Sequence, residues 1–297
     1  METASKTRGT AFSWKPLIAI PEVIPSATFI QGDDAKAFLE EFNATAREQY
    51  GEASGKVMIL SYEPQSKTVR GSNPFAVAHA DSLLKSQGVR VATMADLERV
   101  LTTNAFDLRG TYEDTALVLR NREEPNSYLA NNLAEQLESR GTRVGKTLLT
   151  VQLRGLQLVK DAGSDYGLAF QLTDESQVTE APYLVEKNSG KQFSKLDENG
   201  VPIFADNGNR VLYTRKSGLS RLYLDGDLGV YSDYEDLAYS YEDCRVALVR
   251  GEAAGANFVR AKYDEAKTEL SARMRTAEGI LDKARTEAMQ ALYPTKK

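Results

Sequence analysis

Apolar residues in the first half of the chain recur at helical spacing and alternate with short apolar runs of strand length. Residues 33–51 show the helical pattern, with aspartates at the start that can cap a helix and Gly51 at its end. The apolar positions of this segment are Ala37, Phe38, Phe42, Ala46 and Tyr50. The pattern predicts an amphipathic helix that buries this stripe against a core.

The alternation of helices and strands continues to about residue 154. Capping signals predict helices that begin at Asn73-Pro74, at Thr93 with Asp96 three residues later, and at Pro125-Asn126. Short apolar runs predict strands at residues 56–62, 89–92, 115–120 and 148–153. Strands that alternate with helices are typical of an α/β layer, so we expect one here with a largely parallel or mixed sheet.

Residues 155–250 carry a different pattern, in which strand-like runs are separated by turns that contain glycine. The turn glycines follow asparagine or serine and are Gly190, Gly200, Gly208 and Gly218. Such dipeptides adopt the positive φ angles that tight hairpins need. The pattern predicts an antiparallel β meander with the arms PYLVEK, KQFSKL, PIFAD, RVLYTRK and SRLYLDG. Together with the preceding layer it gives an α+β fold overall.

The two ends of the chain differ from this central part. Prolines at positions 16, 21 and 25 favour an extended N-terminal arm. Near the C-terminus, apolar residues from Tyr263 to Leu292 recur with a mean period of about 3.6 residues, which predicts a long amphipathic helix with an alanine-rich face. The predicted organisation is an extended arm at 1–32, an α/β layer at 33–154, a β-rich meander at 155–250 and a C-terminal helix at 251–297.

Composition limits the chemistry that the protein can perform. The chain of 297 residues has globular proportions of hydrophobic and charged residues, and its net charge of -5 gives no global attraction to nucleic acid or anionic membranes. One cysteine, Cys244, and one histidine, His79, leave a zinc site of the usual ligand types close to excluded. The lone cysteine fits a cytoplasmic location, and no apolar run is long enough to cross a bilayer, so we expect a soluble protein without membrane insertion.

His79 lies in the apolar segment FAVAHADSLL, two residues before Asp81. A pairing of His79 with Asp81 could serve acid/base chemistry. A buried helix histidine with a local hydrogen bond is far commoner, and we favour that interpretation. No catalytic residue is predicted from the sequence.

The segment 222–243 holds seven acidic residues and five tyrosines but no basic residue. Asp225-x-Asp227-x-Gly229 begins like a calcium-binding loop, and Asp236 falls at the twelfth position, where such loops have glutamate. One hypothesis is a weak Ca²⁺ or Mg²⁺ site at Asp225, Asp227 and Asp236. The favoured alternative is a solvated turn followed by a strand or short helix with its tyrosines turned inward.

Two stretches that lack acidic residues, 140–160 and 210–221, are basic. The segment RGTRVGKT in the first stretch falls one residue short of a phosphate-binding loop, and it follows a predicted helix where such a loop follows a strand. We therefore set a nucleotide loop aside. The candidate anion-binding residues are Arg140, Arg143, Lys146, Arg215 and Lys216. They form a face for phosphates or for another copy's acidic surface, or they pair with charges within the chain across the hairpin.

These observations support one leading functional hypothesis and two alternatives. The leading hypothesis is a non-catalytic structural or interaction protein that acts through self-assembly or contacts with other proteins. The first alternative is an enzyme or binder of phosphate ligands or divalent cations that uses carboxylates such as Asp96, or Asp225 and Asp227. The second is nucleic-acid binding through the basic stretches, with Tyr213 and Tyr223 nearby.

Overall fold

The computed structural model describes residues 26–145, 147–241 and 243–250, together with Gly279. The predicted arm up to residue 25, Lys146 and, apart from Gly279, the predicted C-terminal helix lie outside the described residues. Among the described residues, no helix combines the length and the hydropathy that crossing a bilayer requires.

Helices and strands alternate along the first part of the described chain, and strands dominate the second. The α-helices are α1 Gly32–Tyr50, α2 Pro74–Leu84, α3 Met94–Thr103 and α4 Ser127–Ser139. The strands are β1 Ser26–Thr28, β2 Ser61–Glu63, β3 Thr68–Arg70, β4 Val89–Val91, β5 Glu113–Leu119, β6 Leu149–Gln152, β7 Leu156–Lys160, β8 Leu168–Leu172, β9 Val178–Glu180, β10 Gln192–Leu196, β11 Pro202–Phe204, β12 Arg210–Thr214, β13 Leu219–Leu224, β14 Val230–Ser232 and β15 Leu248–Arg250.

The strands form a mixed sheet of eight, with the order β11-β10-β12-β14-β13-β5-β6-β9. Within it only β12 and β14 pair in parallel. The remaining strands form an antiparallel sheet of three, β1-β15-β4, and the hairpins β2-β3 and β7-β8. The mixed sheet and the α+β class expected from the sequence are confirmed.

The pairing of the strands differs from a separate α/β layer followed by a meander. β5 and β6 from the first segment pair antiparallel with each other, and β13 from the second segment pairs with β5. β4 belongs to the sheet of three. Hydrophobic periodicity identifies a strand but carries no information about its partner, so the sequence left open whether the meander joins the first sheet. The structure joins them through the pairing of β13 with β5.

Two local predictions of strands were wrong. Only the end of the predicted strand 56–62 enters β2, and the segment before it is a 3₁₀ helix, Gly51–Lys56. The arm PYLVEK forms two short 3₁₀ helices, Pro182–Leu184 and Glu186–Asn188. Pro182 has no N–H to donate to a ladder, which favours the turn over the strand.

Both faces of the central strand β5 are covered. Leu117 and Leu119 belong to a core with α1, α2, α4 and the hairpin β7-β8, whereas Ala116 and Val118 belong to a core with α3 and the strands β10 to β14. All seven residues of β5 are buried, as expected for a strand between two apolar layers.

Side-chain caps confirm two of the four predicted helix starts. α1 and α4 begin near the predicted residues without a side-chain cap, and Asp33 and Asp34 lie in the first turn of α1 instead of capping it. The side chain of Asn73 accepts a hydrogen bond from the Ala76 N–H at 2.8 Å at the start of α2. Thr93 and Asp96 form the predicted capping box at the start of α3. A helix cap involves residues within one turn of each other, so it can be predicted from the sequence.

His79 on α2 is buried between α1 and α2 and does not pair with Asp81. Its Nδ1 lies 3.1 Å from the Tyr50 hydroxyl, and its Nε2 lies 3.1 Å from the Thr45 hydroxyl. The Asp81 carboxylate instead accepts the N–H groups of Val91 and Gly155. The interpretation of His79 as a buried helix histidine is confirmed, but its hydrogen bonds reach α1 and are not local as expected.

The imidazole of His79 should titrate below its usual pH. Burial lowers the pKa of His79 from 6.5, and a hydrogen bond to the Phe42 carbonyl opposes this only in part. The unfolded chain therefore binds the proton more readily, so the contribution of neutral His79 to stability is lost as the pH falls below about 6.5. Because the chain has one histidine, its NMR imidazole signal gives the midpoint directly. A midpoint at or above 6.5 would contradict this prediction.

Candidate interaction surface

Four tyrosines form a row across neighbouring positions of the eight-stranded sheet. Tyr213 on β12 lies opposite Tyr231 on β14, and Tyr231 lies opposite Tyr223 on β13. Tyr112, directly before β5, continues the row beside Tyr223. The successive ring centroids are 4.8, 5.5 and 5.3 Å apart. Residues that face each other on paired strands project from the same face, so register aligns the rings of Tyr213, Tyr231 and Tyr223.

Three further tyrosines extend the row along the segment that follows β14. Tyr241 contacts Tyr112, Tyr239 contacts Tyr241 at 4.5 Å, and Tyr234 contacts Tyr239. We name this set the tyrosine cluster: Tyr112, Tyr213, Tyr223, Tyr231, Tyr234, Tyr239 and Tyr241. Tyr213, Tyr239 and Tyr241 are 38%, 40% and 47% exposed. The prediction that the tyrosines of segment 222–243 turn inward is therefore wrong for Tyr239 and Tyr241.

The tyrosine cluster encloses a buried ion pair between Arg221 on β13 and Asp114 on β5. The Arg221 Nε donates to Asp114 Oδ1 at 2.7 Å, and its Nη2 donates to Oδ2. Its guanidinium lies 5.2, 5.3 and 5.9 Å from the ring centroids of Tyr112, Tyr223 and Tyr234. Burial opposes the charge of Arg221, but Asp114 outweighs burial and the pKa of Arg221 is raised. Aromatic rings and a carboxylate thus hold a cation in this cluster.

Four carboxylates surround the tyrosine cluster without an ion-pair partner among the described residues. They are Asp225, Asp227, Asp233 and Asp243. Burial raises the pKa of Asp225, and the negative charges of Asp227, Asp243 and Asp233 raise it further. Burial likewise raises the pKa of Tyr223, followed by the charge of Asp233. The surface therefore combines exposed rings with negative charge.

The structure does not bring the three candidate metal ligands together. Asp225 and Asp227 share the turn between β13 and β14, where Asp227 accepts the Gly229 N–H and the Tyr231 hydroxyl. Asp236 accepts the Ala238 N–H in a segment tied to the opposite end of β13 through Asn126. Among the described residues, no three His, Cys, Asp or Glu side chains could hold a metal ion. The chain leaves the turn as β14, so it cannot close a calcium loop.

The candidate anion-binding residues form two separate groups. Arg140 ends α4 and donates to the carbonyls of Leu172 and Thr173, both at 2.7 Å, while Arg143 is exposed in the next turn. The α4 helix precedes this segment and β6 follows it, which confirms that the order is reversed relative to a nucleotide loop. Arg215 donates to Glu235, and Lys216 is exposed.

Three arginines of the second basic stretch pair within the chain, as one of the two interpretations predicted. The partners of Arg210, Arg215 and Arg221 are Glu98, Glu235 and Asp114. The partners lie on α3, after β14 and on β5, and not across the predicted hairpin. These partners come together through pairing between segments that are distant in the sequence, so an argument from the local hairpin could not identify them.

Sequence reasoning missed Asp114 and Tyr112 as parts of the surface. One signal was present, because Glu113 and Asp114 open an otherwise apolar strand that is buried on both faces. Charged residues are seldom buried unless they are paired, so acids at the edge of such a run indicate a buried partner. No family model, curated protein or solved structure matches this chain.

Proposed function

We propose that the protein is an interaction module that binds a lysine- or arginine-bearing segment of a partner protein on the tyrosine cluster. The observation that carries the proposal is the exposure of Tyr239 and Tyr241 at 40% and 47% in a cluster ringed by carboxylates without ion-pair partners. Tyrosine is enriched at protein interfaces, where its ring supplies contact area and its hydroxyl supplies a hydrogen bond.

The chemistry of the surface favours a cation as the group that docks. Arg221 already lies over three rings of the cluster with a carboxylate beside it. A partner arginine or lysine on Tyr239 and Tyr241 would make the same kinds of contact at an exposed position, worth about 0.5–1 kcal/mol per ring. The carboxylates would also speed the encounter with a basic segment.

The two alternative functions rest on residues that have other roles. Asp96 binds Arg90 and caps α3. Of the tyrosines named for nucleic-acid binding, Tyr223 lies beside Asp225 and Asp233, whose charge would repel phosphates. Among the described residues, no specific observation favours catalysis through carboxylates, a divalent cation or nucleic acid over an interaction module.

Removing the two exposed rings should weaken binding of a basic peptide about tenfold. The change is the double variant Tyr239→Ser with Tyr241→Ser, which leaves every formal charge in place. Two ring contacts of about 0.7 kcal/mol each give a factor of about ten. The measurement is fluorescence anisotropy with a labelled arginine- and glycine-containing peptide, repeated at rising salt, which should weaken binding further.

The matched control is Tyr128→Ser, because Tyr128 on α4 is 44% exposed but lies outside the cluster. This variant should bind the peptide as tightly as the wild type. Equal affinity for the double variant and the wild type would reject the tyrosine cluster as the contact surface. If mass photometry showed dimers without peptide, and the double variant lost these dimers, the partner would be a second copy of the chain and not a basic segment.

A further inference from the structure

Three strands of the eight-stranded sheet have their carboxyl ends on the same side of the sheet. β13 runs antiparallel to both β5 and β14, and β12 runs parallel to β14, so β5, β12 and β14 all point in one direction. Arg120 directly follows β5, and Arg215 directly follows β12. Two guanidinium groups therefore lie close together at the carboxyl ends of these strands.

Arg120 is buried, and no carboxylate among the described residues forms an ion pair with it. It is 6% exposed, and it donates to the hydroxyls of Ser220, Thr214 and Ser232 at 2.8 Å each and to the Ser232 carbonyl at 2.9 Å. All of these acceptors are uncharged. Its Nε is buried without a hydrogen-bond partner. A buried cation without a paired anion is costly, and such a group calls for an explanation.

Arg215 lies closer to solvent than Arg120, and its ion-pair partner, the carboxylate of Glu235, is exposed enough to be displaced. Its side chain is 23% exposed, and its Nη1 donates to Glu235 Oε2 at 2.5 Å and to the Asp233 carbonyl at 3.0 Å. The side chain of Glu235 is 61% exposed. The Arg215 Nε is also buried without a partner.

The two guanidinium groups interact electrostatically. Burial and, second, the charge of Arg215 lower the pKa of Arg120 to about 9, and the charge of Asp233 opposes both. The Asp233 side chain is exposed and accepts no hydrogen bond from either arginine. Two exposed carboxylates therefore compensate the positive charge at these strand ends: Glu235 pairs with Arg215, and Asp233 acts on Arg120 without a hydrogen bond.

We propose that Arg120, Arg215 and the hydroxyls of Thr214, Ser220 and Ser232, which we name the strand-end arginine cluster, form a binding site for a phosphate group. The phosphate takes the place of the Glu235 carboxylate on Arg215. Arg120 attracts it through its charge. The three hydroxyls hold Arg120 in place and donate their own protons to the carbonyls of Leu184, Tyr213 and Ser232. The site is distinct from the tyrosine cluster, and the proposal does not rest on the interaction with a basic partner.

A phosphate group fits this site better than a carboxylate does. It carries a charge of about −1.5 to −2 at pH 7 and three acceptor oxygens, so it attracts Arg215 more strongly than the single negative charge of Glu235 does. The planar fork of Arg215 can donate two parallel hydrogen bonds to its oxygens. The Arg215 candidate from the sequence is thus retained, with Arg120 as the member that sequence patterns did not indicate.

Glu235 gives the decisive experiment, because it competes with the ligand in this proposal. The probe is inorganic phosphate, titrated by isothermal calorimetry at pH 7 against chloride at equal ionic strength. We expect Glu235→Gln to tighten phosphate binding about fivefold and Arg215→Gln to weaken it at least tenfold. Both side chains are at least partly exposed, so both variants should fold, which circular dichroism verifies.

The matched control is Arg109→Gln. Arg109 is an exposed arginine before β5 with a long contact of 3.9 Å to Asp107. It should leave phosphate affinity unchanged. The proposal is overturned if Glu235→Gln fails to tighten binding, if Arg109→Gln weakens it as much as Arg215→Gln does, or if the wild type responds to phosphate no more than to chloride. A repeat with O-phosphoserine distinguishes free phosphate from a phosphorylated side chain as the source.

Discussion

Replacing Asp114 by asparagine should lower the free energy of unfolding by about 3–5 kcal/mol, because it leaves the Arg221 guanidinium buried without a negative partner. The side chains of Arg221 and Asp114 are 1% and 0% exposed, so water cannot replace the lost charge. Asparagine keeps the size of the side chain, which isolates the charge from packing. The measurement is urea denaturation at pH 7, where the midpoint should fall without a change in slope.

A double-mutant cycle separates the pair from its surroundings. Arg221→Met removes the cation, and the double variant Asp114→Asn with Arg221→Met should be more stable than Asp114→Asn alone, because no unpaired charge remains. Glu175→Gln serves as the control, since the Lys85–Glu175 pair is 59% and 58% exposed and should contribute less than about 1 kcal/mol. Strict additivity of the two single variants would show that the pair is not coupled.

The helices could be predicted because their signals are local. The bounds of α2 and α3 follow from Asn73 and Thr93, whose side chains accept N–H groups three residues later. The amphipathic stripe of α1 buries Phe42, Ala46 and Tyr50 as the spacing required. The start of the stripe was misplaced, because Ala37 is exposed and Leu39 is buried. Local rules were sufficient here because every interacting group lies within one turn of the helix.

The sheet could not be predicted to the same degree. Leu119 pairs with Leu219, and Asp114 pairs with Tyr223, across more than ninety intervening residues. The run KVMILSY also shows why a pattern can mislead: Val57 and Leu60 are buried in the core without joining a ladder. An apolar run satisfies burial in a strand or in irregular backbone, so the run alone cannot distinguish them.

Only part of the candidate surface could be predicted from the sequence, for the same reason. Five of its seven tyrosines lie in the segment 222–243, which the sequence analysis singled out for its density of acids and rings. Tyr112, Tyr213 and Asp114 join them only through the register of β5, β12 and β14. The residue types of the surface could therefore be predicted from the sequence, whereas its geometry depends on the pairing of strands that are distant in the sequence.

Replacing Gly218 by alanine should destabilise the protein by about 3 kcal/mol or more. Gly218 precedes β13 with φ at +78°, and an added Cβ would lie 2.5 Å from the N, O and Cδ atoms of Pro125. The positive φ costs a side chain about 1–2 kcal/mol, and the overlap with rigid backbone adds about 1–3 kcal/mol. Urea denaturation measures the loss.

Gly190→Ala provides the matched control for the Gly218 prediction. Gly190 has φ at +83°, but nothing lies within 4 Å of an added Cβ, so only the backbone cost of about 1–2 kcal/mol applies. Equal losses in the two variants would show that the contact with Pro125 is not rigid. The carbonyl of Gly218 also accepts the Arg120 N–H, and its N–H donates to Asn121. A displaced Gly218 would therefore move Arg120, so Gly218→Ala should also weaken phosphate binding, whereas Gly190→Ala should not.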